Sequence, residues 1–183
     1  MRLFISILLI GTLAACGGSK PEKKFISATS LIRQQLQDVD TNLLYSIVRY
    51  RFIDTIPQDT AYLSKAEFRK EVTAFLEIPD LSDPKKASDY TEESRYDEAL
   101  NRVIISYTST KKGSFERIEL FVEPDLEKGD QVKTILATRT GHKNNSEKEE
   151  MIWQIGRSCT RILNTQKADG TSESRSTKWS WKE

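Results

Sequence analysis

Arg102-Val103-Ile104-Ile105-Ser106-Tyr107-Thr108-Ser109-Thr110, the turn Lys111-Lys112-Gly113-Ser114, and Phe115-Glu116-Arg117-Ile118-Glu119-Leu120-Phe121-Val122-Glu123 together decide the fold. Two runs rich in β-branched and aromatic residues flank a short polar segment with a glycine, which is the pattern of a hairpin. Ile118, Leu120 and Val122 fall at every second position, so one face of the returning strand is apolar. Working outward, Pro124 to Asp130 turns the chain again and Val132 to Thr140 supplies the next strand. Gly141 to Glu149 reads as a charged loop. Met151, Trp153 and Ile155 then alternate in a further strand that Gly156 interrupts or bends. Ser158 to Lys167 and Ser174 to Trp181 form a last hairpin around Asp169-Gly170. Connections this short favour antiparallel neighbours.

The first half carries the helices. Ile32, Leu36, Val39, Leu43 and Ile47 recur at steps of three or four, which predicts an amphipathic helix over Ser27–Leu44. Ser46 to Ile53 turns β-branched and aromatic, with Val48, Tyr50 and Phe52 alternating against Arg49 and Arg51. It reads as a strand, with helix continuation to Arg51 as the competitor. Thr55-Ile56-Pro57-Gln58-Asp59 reads as a turn. Ser64-Lys65-Ala66-Glu67 matches a capping box and opens a second helix, with Phe68, Val72, Phe75 and Leu76 as its stripe and Pro79 as its end. Asp80 to Glu98 is polar and reads as a long loop. The expected class is α+β: two N-terminal helices packed on a five- or six-stranded antiparallel meander sheet.

The extreme N-terminus addresses a different question, where the domain works. Arg2 precedes the apolar run Leu3-Phe4-Ile5-Ser6-Ile7-Leu8-Leu9-Ile10, and small residues follow it. From Leu3 to Leu13 the run spans about half the roughly 20 residues a membrane-spanning helix needs, so an export signal is the better reading. Leu13-Ala14-Ala15-Cys16 at its end resembles the lipobox of bacterial lipoproteins. The resemblance implies recognition of Leu13, Ala14 and Ala15 by signal peptidase II and cleavage before Cys16. It further implies a diacylglycerol thioether and an N-acyl chain on that cysteine. Secretion with simple cleavage after Ala15 is the alternative. Residues 1–15 are then the leader, 16–26 the lipidated cysteine and tether, and 27–183 a single domain. In lipoproteins an aspartate after the cysteine often marks inner-membrane retention, and an acidic run marks surface export in some groups. Gly17 follows here with no acidic run after it, so the resemblance implies the outer membrane with the domain facing the periplasm.

Composition narrows the classes. Losing Arg2 with the leader takes the 28 basic residues to 27, equal to the 27 acidic ones. A neutral chain lacks the basic excess of a nucleic-acid binder. Cys159 is the sole thiol once Cys16 is acylated, so it has no internal disulfide partner and is expected to be buried. His142, the only histidine, lies in the loop sequence Gly141 to Ser146, where a solvated side chain is a better reading than a member of a triad. Asp80, Asp83 and Asp89 do not match a calcium loop, and no zinc spacing is present, so no metal and no further cofactor are expected. The carboxylates Asp89, Glu92, Glu93, Asp97 and Glu98, near Tyr90 and Tyr96, are weighed as a glycosidase pair with sugar platforms. A solvated loop explains them more simply.

Trp179 and Trp181 stand two apart, so both rings leave the same face of a strand. They are candidate ligand-binding residues for a peptide, glycan or lipid chain; the competing reading is core. The functional expectation is a non-enzymatic envelope module tethered by its lipid, with an envelope protein or a glycan as its partner. The alternatives are a carrier of hydrophobic ligands on a curved half-barrel sheet and, below it, a hydrolase.

Overall fold

A computed structural model describes residues 25–111, 115–127, 129–141 and 147–182. Among the described residues the helices are α1 (Ala28–Thr41), α2 (Lys65–Glu71) and α3 (Pro84–Ala87), with a 3-10 helix over Thr73–Glu77 following α2. The strands are β1 (Ile47–Ile53), β2 (Ile56–Leu63), β3 (Tyr90–Asp97), β4 (Arg102–Ser109), β5 (Arg117–Glu123), β6 (Gln131–Thr140), β7 (Glu147–Gln154), β8 (Ser158–Gln166) and β9 (Ser172–Ser180). They make one nine-stranded antiparallel sheet in the order β2-β1-β9-β8-β7-β6-β5-β4-β3. From β3 to β9 each strand pairs with the next in the chain, and the β1–β2 hairpin then adds to the free side of β9. β2 and β3, adjacent in sequence, therefore form the two opposite edges.

The register explains the core. Tyr107 faces Ile118, which faces Ala137, which faces Met151. One level along, Leu120, Ile135, Trp153, Cys159 and Trp179 line up across five strands. This face is covered by Ile32, Leu36 and Val39 of α1 with Phe68, Val72 and Phe75 of the following helical segment. Rings close the centre: Phe75 meets Trp153 at 5.2 Å, and Trp181 lies 5.5 Å from both Trp153 and Phe68. Two buried or half-buried polar bonds tie α1 to other segments. Thr29 Oγ1 donates to the Ile78 carbonyl at 2.5 Å, and Gln35 Oε1 accepts the Gly156 amide at 2.6 Å.

The α+β class holds with the sheet dominant, but the expected counts do not. Nine strands replace five or six, and three helices plus a 3-10 helix replace two. Seven of the nine have a counterpart among the strand segments read from the sequence, and the two that do not, β2 and β3, are the edges. β2 was expected to be a turn, yet only Asp54 and Thr55 form it, at φ values of +46° and +72°. Pro57 sits beside an irregularity in the β1–β2 pairing, where an edge tolerates it. β3 was expected to be part of a loop because its outer positions are charged and only Tyr90 is buried. The capping box is present as read: Ser64 and Glu67 satisfy each other's backbone amides. That helix breaks after Glu71 into the 3-10 helix, and both pieces lie before Pro79. Gly156 neither interrupts nor bends a strand; it takes φ +75° in the turn between β7 and β8. β7 also begins at Glu147, inside the expected charged loop.

Candidate functional site

Where α1 ends determines the site. Asn42 caps the helix, its amide bonding to the Asp38 carbonyl, so Leu43 leaves the helical stripe to which its spacing assigned it. Leu43 and Leu44 are 92% and 90% exposed. The loop carrying them is held by two side chains. Asn42 Oδ1 accepts the Leu44 amide at 2.9 Å, and Lys65 Nζ donates to the Asp40 and Asn42 carbonyls at 2.7 and 2.8 Å. Behind the loop lies a half-open groove of about 440 Å³, lined by Leu44, Tyr45, Val48, Tyr50, Tyr62 and Trp181 with Ser46, Ser180 and Lys182. Tyr62, on β2, is 80% exposed.

Trp179 and Trp181 share a face as expected, and that face is the core one: each is 3% exposed. Trp179 Nε1 donates to Glu71 Oε2 at 2.7 Å, which satisfies its polar end within the fold. The structure therefore supports the core reading for Trp179, while Trp181 serves both core and groove. The groove residues Leu44 and Tyr62, and the exposed Leu43 beside them, escaped the sequence reading. The available signal was Asn42, a helix-ending residue, overridden by the apparent continuity of the apolar spacing.

A second polar constellation borders the core. Arg49 pairs with Glu71 at 2.6 Å and with Asp59 at 2.5 Å. Burial opposes its charge, but Asp59 and Glu71 outweigh that, and its pKa is raised. Across the sheet the buried Glu149 accepts from Arg139 and Arg161, while Arg139 also reaches Glu77 at 2.6 Å and stacks over Phe115 at 5.0 Å. Each of these carboxylates is matched to a guanidinium, an arrangement suited to sealing a core margin rather than to proton transfer.

The remaining candidates are dispersed. Asp80 accepts from Ser82, Asp83 caps α3 and Asp89 pairs with Lys111, so the three aspartates serve local turns. Among the described residues no group of three or more His, Cys, Asp or Glu could hold a metal. Glu92 and Glu93 leave opposite faces of β3. Tyr90 is buried, with its hydroxyl on the Phe115 carbonyl, while Tyr96 is exposed, so the two do not form a sugar platform. Cys159 is buried, and burial pushes its thiol pKa well up. Leu13, Ala14, Ala15, Cys16 and His142 lie outside the described residues. No described helix is long and apolar enough to cross a membrane.

No protein-family model, curated protein or solved structure matches the chain. The groove must therefore be read from its own chemistry. Three tyrosines, two aliphatic side chains and an indole supply apolar surface with polar tips, and Lys182 supplies one cation. Such a lining binds extended, partly apolar ligands through packing and a few hydrogen bonds.

Proposed function

We propose that the chain is a non-enzymatic binding module of a bacterial envelope, held to a membrane by acylated Cys16, with the Leu44–Tyr62 groove as its ligand surface. The observation that carries this reading is the pinned loop. It presents two almost fully exposed leucines beside an aromatic groove, while Phe68, Phe75, Trp153, Trp179 and Trp181 are buried in the core. An exposed apolar patch on an ordered scaffold marks an interaction surface. The lipobox-like sequence supports the anchor, and the short polar stretch after it supports a tethered domain. Outer-membrane attachment facing the periplasm is part of the same reading.

A photoreactive side chain at Tyr62, introduced in cells and irradiated, tests the groove. A discrete adduct that disappears with Leu44→Asp supports the reading; adducts indistinguishable from those formed at Thr91 on the opposite edge overturn it. Intact-mass measurement of the membrane-extracted protein tests the anchor separately, and a bare thiol at Cys16 would remove it.

A carrier of hydrophobic ligands is the second reading. It draws on the sheet face turned away from the helices, where Ile104 stands opposite Phe121 and Leu136 opposite Ile152. Ile162 and Phe52 continue this face toward β1, and all but Ile104 are half-exposed. Against it, the helix-covered face is filled by Phe75, Trp153, Trp179 and Trp181.

A further inference from the structure

We infer that Leu43 and Leu44, framed by Tyr45, Tyr62 and Lys182, insert into the interfacial layer of the membrane that carries the Cys16 anchor. This gives the domain a second, non-covalent contact and a fixed orientation. The inference rests on the anchored reading above and names the partner of the outer rim of the same groove: a phospholipid bilayer surface.

Three observations lead there. The first is composition. Leu43 and Leu44 are exposed side by side in sequence, and Leu44 lines one groove with Tyr45, Tyr62 and Lys182. Aliphatic, tyrosine and lysine side chains together match the make-up of a bilayer interface, where aromatic rings sit at head-group depth and lysines reach outward. The second is construction. The Asn42 side chain and the Lys65 ammonium hold the loop backbone, so the leucines are displayed at little further ordering cost.

The third is reach. The described chain begins at Phe25, whose ring lies 5.1 Å from that of Tyr107, and Ile26 N donates to the Tyr107 hydroxyl at 3.1 Å. That point is at the N-terminal end of α1, and the leucines follow its C-terminal end. The 14 residues of α1 span about 21 Å. Cys16 precedes Phe25 by nine residues, which extend to at most about 30 Å. The tether is therefore long enough for the acyl chains and the leucine pair to enter one leaflet together.

The test uses the mature chain, residues 16–183, with Cys16→Ser, so that the covalent lipid is absent and every described element is kept. It is floated with large unilamellar vesicles of phosphatidylethanolamine and phosphatidylglycerol. Leu43→Asp/Leu44→Asp is expected to lower vesicle partitioning by about tenfold or more, with the circular dichroism spectrum and thermal midpoint unchanged because both side chains are exposed. In the same background Leu43→Trp is expected to shift its emission to the blue on vesicle addition. Equal partitioning of the parent and the double variant, or an unshifted emission, overturns the inference while leaving the anchor untouched. A self-associated species in sedimentation equilibrium that the double variant abolishes would assign the leucines to a second copy of the chain, and overturns it too. A bare thiol at Cys16 in the native protein instead removes the anchored reading, and the shared-leaflet geometry with it.

Discussion

The helix-covered face of the sheet has two halves that obey different rules. Toward one end Ile135, Trp153, Cys159 and Trp179 lie in a row across four strands, all buried. Further along the same face Arg161 lies two residues from Cys159 and Arg139 four from Ile135, with Glu149 opposite Arg139, while on β1 Arg49 borders the row beside Trp179 and Arg51 follows it. The change comes where the helices stop covering the sheet. Glu71 and Glu77, at the ends of α2 and the 3-10 helix, meet the arginines there. The apolar half gains from removal of area from water. The charged margin gains less, since each ion pair must first overcome the desolvation of its members. The comparison teaches that a single strand face holds both a core and its seal, and that the helix ends decide where one gives way to the other.

The largest effect should come from the apolar half. Trp153→Ala is expected to destabilise the fold by about 3–5 kcal/mol in urea titration, from lost contacts and the cavity left behind. A loss below 1 kcal/mol would mean the ring cluster is not the core. In the margin, Glu149→Ala strands two guanidiniums, and a cost of about 2 kcal/mol is expected because Arg139 and Arg161 keep some solvent. Arg161→Ala, at the wetter end of the same network, should cost under about 1 kcal/mol. If the two substitutions proved equal, the margin would be a surface ion pair and the comparison would fail.

Smaller effects probe the edges of the two halves. Thr55 is a β-branched residue at φ +72° in the β1–β2 turn. Thr55→Gly should raise stability by about 0.5–1 kcal/mol, read as a shifted urea midpoint. Burial, chiefly, pushes the Tyr107 phenol from 10.0 up to about 12. Its neutral form is favoured by folding, so this contribution is complete below about pH 10 and is lost as pH rises toward 12. An alkaline absorbance titration of Tyr107→Phe against the parent reads that phenol directly. Cys159, buried with its thiol pKa raised, should resist a thiol reagent in the native state and react only in denaturant.

The same contrast explains what could be read in advance. β5 and β7 were legible because their core faces alternate, as Ile118-Glu119-Leu120-Phe121-Val122 does, and periodicity survives whatever packs on top. β8 and β9 were legible through the Asp169-Gly170 turn between them. The Ser64–Glu67 capping box was legible because its chemistry is local. β2 and β3 were not, because an edge strand with its outward positions in water carries no alternation to detect. The end of α1 was misplaced for a related reason: Leu43 continues the spacing of Ile32, Leu36 and Val39, yet Asn42 ends the helix before it.

From residues alone came the α+β class, the order of most elements and the shared face of Trp179 and Trp181, since each depends on spacing along a short stretch of chain. The lipobox-like segment, which supplies the expectation of an anchor, is equally a matter of adjacent residues. Only the tertiary structure decided that the β1–β2 hairpin joins β9, that both tryptophans turn inward, and that Leu43 and Leu44 turn out. Those outcomes depend on which distant segments compete for the same buried area. Residues far apart in the chain, such as Lys65 and Asn42 or Glu71 and Trp179, settle that competition.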